Sequence, residues 1–150
     1  MTKRYLTLLL AVSALASLPG ITGCGSSSSA SEPLTKKEFL KKADLICEKA
    51  SREQGTLAVR YMRRHPGSGA RDYAEPAGIP PLEKQIRELE ALGVPNEDKA
   101  DLLAYFRQFN KDLAATKEEP LSMLSEKHNP FAQTIKLGRK YGFVDCRVLP

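Results

Sequence analysis

From residue 35 onwards, apolar residues recur at helical spacing and are broken up by proline and glycine. Thr35-Lys36-Lys37-Glu38 has the form of a capping box, and Leu34 and Phe39 fill the two positions of a hydrophobic staple. Phe39, Ala43, Ile46, Ala50, Leu57 and Tyr61 then succeed one another at steps of three, four or seven, which is one stripe of a helix. Gln54 interrupts that stripe, and Cys47 lies beside it. The helix is expected to stop at Arg64 or His65, because Pro66-Gly67 comes next.

Residues 66–79 are rich in Pro and Gly and poor in large apolar side chains, so the pattern predicts a long loop. Pro80-Pro81 should open a second helix with Leu82, Ile86 and Leu89 on its apolar face. Its wet side should carry the i,i+4 pairs Glu83–Arg87 and Lys84–Glu88, and Gly93 should close it. A third helix is predicted from near Asn96 to Pro120, with Leu102, Phe106, Phe109 and Leu113 as its stripe. After one short turn over 121–127, Asn129-Pro130 introduces a last helix through Phe131, Ile135, Gly138 and Tyr141, ended by Gly142. Gly138 on the buried face implies close approach of another helix or a kink. No alternating β-branched run occurs, so the expectation is an all-α, four-helix bundle-like domain over residues 35–150.

The N-terminus obeys a different rule. Lys3 and Arg4 precede an apolar run from Tyr5 to Leu18, and small residues lead on to Cys24, as in a secretory signal. Ile21-Thr22-Gly23-Cys24 resembles the bacterial lipobox, in which the cysteine receives a diacylglyceryl group and becomes the new N-terminus. On that reading residues 1–23 are a removed leader and residues 24–34 a lipidated tether. The alternative is ordinary cleavage after Ala16, leaving Cys24 a free thiol. Acylation at one residue with two or more chains gives stable anchoring. A nine-residue flexible tether spans roughly 15–18 Å, which holds the folded part close to the bilayer.

Cysteine arithmetic fits this picture. Lipidation of Cys24 would account for the odd member of three, leaving Cys47 and Cys146 to pair in a compartment that permits disulfides. A bridge closing a loop of about 100 residues stabilises by at most about 4.7 kcal/mol. A redox or metal pair is the weaker reading, since no C-x-x-C occurs and neither His65 nor His128 has ligand spacing to a cysteine.

The segments Phe39-Leu40-x-Lys42-Ala43-Asp44-x-Ile46-Cys47, Pro130-Phe131-Ala132 and Tyr141-Gly142-Phe143-x-x-Cys146 carry a resemblance. Together they resemble small all-helical lipoproteins of actinobacterial type over most of residues 35–146. The resemblance implies the fold and the anchor, and it implies no activity.

Composition narrows the function classes. The chain is 41% hydrophobic and 27% charged, which is ordinary for a globular domain. At 150 residues it is too short for a two-lobed enzyme, and a multi-span membrane protein is excluded. Searching for G-x-S-x-G, H-E-x-x-H, a P-loop or G-x-G-x-x-G finds nothing, so no catalytic residue, metal ligand or cofactor is assigned. His65 and His128 sit beside helix breaks and read as cap or loop residues.

The net charge of +5 falls to +3 once residues 1–23 are removed, and its placement is more telling than its size. Lys36, Lys37, Lys41 and Lys42 lie near the tether and are candidates for contact with anionic headgroups. Arg60, Arg63, Arg64 and Arg71, with Tyr73, form a candidate partner surface at the far end of the first helix. Roughly 35–40 Å along that helix from the lysines, this cluster is expected to point away from the membrane, towards an acidic envelope polymer or a protein. Nucleic acid is a poor partner for an exported protein, and Tyr61 alone is no stacking platform. The expected function is a non-enzymatic binding module, lipid-anchored on the extracytoplasmic side of the cell membrane. The alternatives are a carrier that encloses a small apolar ligand in its bundle and, third, an envelope enzyme.

Overall fold

A computed structural model describes residues 33–146, except residue 126. The leader, Cys24 and the serine run therefore lie outside the described residues. The described residues are helical, with no strand among them. Four main helices form the bundle: α1 (Lys36–Arg64), α3 (Ile79–Ala91), α4 (Lys99–Glu118) and α5 (Ala132–Tyr141). Between α1 and α3 lies the single turn α2 (Ala70–Tyr73), and a 3₁₀ turn spans Pro120–Leu124 after α4.

The start of α1 is built as its sequence dictates. Glu38 N–H donates to Thr35 Oγ1, and the Glu38 carboxylate accepts from the Thr35 N–H in return. Phe39, Ala43, Cys47 and Ala50 are buried, and from there on the inward positions of α1 are only half-buried. α1 packs on α3, α3 on α4, and α4 on α5. The core is largely aromatic. Tyr105 lies 4.9 Å from Phe143 and 6.0 Å from Phe109, ring centre to ring centre, and Phe109 lies 5.7 Å from Phe131. Gly138 meets this cluster at close range: a Cβ there would come within 3.1 Å of the Tyr105 ring. Close approach of α4 and α5 is thus the role of this glycine.

The loop predicted over 66–79 is the main difference. Only residues 65–69 break the chain, and helix then runs through α2, a π-helical turn (Ala74–Gly78) and α3. Pro76, Pro80 and Pro81 have no N–H to donate, so a regular i→i−4 ladder cannot pass through them. A π turn inserts an extra residue and lets the helix continue. Small side chains allow it to pack, since Ala74, Ala77 and Gly78 are buried.

Ion pairing also departs from the expected pattern. Lys84 joins Glu53 of α1 at 2.7 Å, Glu83 joins Lys117 of α4 at 2.7 Å, and Glu88 faces Lys49 at 3.7 Å. These side chains link helices to one another instead of forming pairs within α3. The third helix begins at Lys99 rather than near Asn96, with Asp98 in the left-handed region at φ +52° before it.

Candidate functional site

Beyond Ala50 no residue of α1 is fully buried, and α2 and the π turn pack against this helix. A cleft of about 270 Å³ opens there. Ser51, Gln54 and Ala58 of α1 form one wall, Tyr73 and Ala77 another, and Met123 and Leu124 the third. Glycine at 78 is what seats Met123, because a Cβ would lie 2.6 Å from its Cε. The walls are mostly apolar, with the Gln54 amide, the Ser51 hydroxyl and the Tyr73 phenol as polar marks and no carboxylate or amine among them. Such a cleft can hold an apolar group by burial and orient it through one amide.

The predicted partner residues divide between two surfaces. Arg60 and Arg63 line a shallow trough on the outer side of α1, with Arg52, Thr56 and Val59. Tyr73 belongs to the cleft, and Gly55 borders both. Arg64 and Arg71 are exposed.

The lysines divide too. Lys37, Lys41 and Lys42 are exposed on the first two turns of α1. Lys36 is folded inwards: its N–H donates to Glu97 Oε2 at 2.7 Å and its Nζ reaches Asp98 Oδ2 at 2.6 Å. Its ammonium also lies 4.7 Å from the centre of the Tyr141 ring. The acidic start of α4 draws this one lysine out of the basic set.

Cys47 and Cys146 form a disulfide, with Cα atoms 4.8 Å apart and both residues buried. Gln85 donates its amide to Cys47 Sγ at 3.1 Å, a contact no spacing rule would have shown. A second buried polar group was equally hidden. Asp112 accepts from Gln108 of its own helix at 2.7 Å and from Thr134 at 2.7 Å, and the second bond ties α4 to α5. Both contacts are internal and structural. The buried hydroxyls of Tyr105 and Tyr141 have no hydrogen-bond partner among the described residues. Burial raises the pKa of both phenols, that of Tyr141 to about 12, with Asp98 and Glu97 adding to the effect.

His65 and His128 are both exposed, and the His65 ring leans on Tyr61 at 4.4 Å. Among the described residues no group of His, Cys, Asp or Glu is placed to hold a metal ion, and no helix is long and apolar enough to cross a membrane. No family model, curated protein or solved structure matches this chain.

Proposed function

We propose that this chain is an exported, lipid-anchored protein of the cell envelope that acts as a non-enzymatic binding module. The observation that carries the reading is the Cys47–Cys146 disulfide. It implies an oxidising compartment and leaves Cys24 as the cysteine outside the bridge, within the lipobox-like Ile21-Thr22-Gly23-Cys24. Residues 1–23 are then the removed leader and residues 24–34 the tether, as in the helical lipoproteins that the sequence resembles. Binding falls to the far half of α1, where the cleft at Tyr73 and Gln54 adjoins the trough at Arg60 and Arg63. The arginines of the trough suit an anionic surface.

One observation favours the carrier as a second reading. The bundle interior is filled by aromatic rings, and the apolar space lies at its edge, in the cleft. A small apolar ligand would therefore sit between α1 and the π turn instead of inside the bundle.

The test has two measurements on protein extracted from membranes of an exporting bacterial host. Mass spectrometry should find a diacylglyceryl group on Cys24, whereas an unmodified Met1 terminus would refute export. A photo-crosslinking side chain at Ala58 should capture an envelope component or a lipid-like ligand that the same probe at exposed Arg107 does not. Equal capture at both positions would refute the cleft.

A further inference from the structure

We propose that the outer face of α1 lies flat along an anionic lipid surface over its whole length, not only at its lysine-rich start. Charge distribution is the first observation. Residues 36–64 hold nine basic and four acidic side chains, a net +5, whereas residues 65–146 hold eleven basic and thirteen acidic, a net −2. The positive charge of the domain is thus the charge of one helix.

All four acids on α1 are engaged locally. Glu38 closes the capping box, Glu48 pairs with Arg52, Glu53 pairs with Lys84, and Asp44 accepts the N–H groups of Val144 and Asp145. Six of the nine basic residues, Lys37, Lys41, Lys42, Arg60, Arg63 and Arg64, have no ion pair among the described residues.

Geometry is the second observation. At 100° per residue, Lys41, Leu45, Arg52, Val59 and Arg63 fall within an arc of about 40°, on the side of α1 opposite Ala43 and Cys47. Leu45 and Val59 are 58% and 52% exposed on that ridge, about 21 Å apart along the axis. Basic side chains flanking apolar ones on one exposed helix face are what an interfacial helix presents to lipid headgroups. Standing on end, α1 would bring only its lysines to the surface. Lying flat, it brings both clusters and both apolar side chains, and the line between the clusters runs along the membrane. A soluble acidic polymer would match the charges but would give Leu45 and Val59 nothing to enter. The lipid occupant rests on the anchored reading above, in which a short tether already holds the start of α1 at the bilayer.

The experiment uses the acylated chain purified from membranes and placed in vesicles, with a nitroxide at Val59→Cys, at Leu45→Cys or at Arg107→Cys on α4. With phosphatidylglycerol present, the two α1 labels should lose collisions with a water-soluble nickel chelate several-fold and gain collisions with oxygen. The α4 label should not change, and phosphatidylcholine alone should protect none of them. Replacing Arg60 and Arg63 by glutamine should weaken docking by about fivefold per charge, restoring chelate access. Labels on α1 that stay as accessible as the α4 label while the protein floats with the anionic vesicles would overturn docking and leave the anchor standing. Protection by soluble polyglutamate but not by phosphatidylglycerol would overturn it in favour of a polymer. If Cys24 carries no lipid, the anchored reading fails by itself, and the same labels then report docking of the unacylated chain on added vesicles. Absence of protection there would overturn docking as well.

Discussion

The Lys36 ammonium lies over the Tyr141 ring, 4.7 Å from its centre, while it also reaches Asp98 Oδ2 at 2.6 Å. One side chain thereby joins the first turn of α1, the start of α4 and the end of α5. Lys36→Met keeps the aliphatic stem and removes the charge, and it should cost about 1 kcal/mol, combining a partly desolvated cation–π contact with a weak ion pair. Lys37→Met, on the exposed side of the same turn, should change stability by less than about 0.5 kcal/mol. Urea unfolding of the two variants checks this, and equal losses would show that the inward turn of Lys36 carries no energy.

Stability should fall steeply in alkali. Tyr105 and Tyr141 ionise at higher pH in the folded chain than in the unfolded one, because burial disfavours the phenolate. Below about pH 10 both states are protonated and the stabilisation is intact. Above it the unfolded state loses protons first, and each phenol should remove about 1.4 kcal/mol per pH unit. Lys84, raised by its bond to Glu53, acts in the same direction. Tyr105→Phe should reduce the alkaline slope and change neutral-pH stability little, because the hydroxyl it removes has no hydrogen-bond partner among the described residues. A slope identical to that of the parent chain would refute the assignment.

Three glycines should respond with different signs. Gly55 lies within α1 with nothing within 4 Å of a Cβ, so Gly55→Ala should stabilise by about 0.5–1 kcal/mol. Gly138→Ala should destabilise by about 1–3 kcal/mol, since the new methyl would press on the buried Tyr105 and Phe143 rings. Gly142 has φ +115°, and alanine there should cost about 1–2 kcal/mol. Thermal unfolding of the three variants decides it, and a stabilised Gly138→Ala would mean that the rings can move aside.

How much of the fold is legible in the sequence depends on residue type. The stripes Leu82-Ile86-Leu89 and Leu102-Phe106-Phe109-Leu113 are buried where their periodicity puts them, because large apolar side chains on a helix have one way to leave water. The π turn is hidden by its prolines. Yet Ala74, Ala77, Gly78, Pro81, Leu82 and Gln85 are all buried and keep helical spacing straight through them. Small residues at that spacing are the available signal, and local breaker rules outweigh it. The cleft is not legible at all, since it depends on where the 3₁₀ turn lays Met123 against Gly78. Lys36 groups with Lys37, Lys41 and Lys42 in the sequence, which shows charge but not the carboxylates that fold back to meet it. The bridge is readable by counting, whereas its amide neighbour Gln85 is not.

The bridge also sets how the molecule bears tension. A pull between the two ends of the chain passes from α1 at Cys47 through sulfur to Cys146, and the 99-position loop between them is shunted out of the load path. Within the bundle, stretching can peel the first turns of α1 only as far as Cys47. The cleft, the π turn and most of the aromatic interior lie inside the closed loop and carry none of the force. A pull on the two ends of the chain would therefore leave the shape of the cleft unchanged.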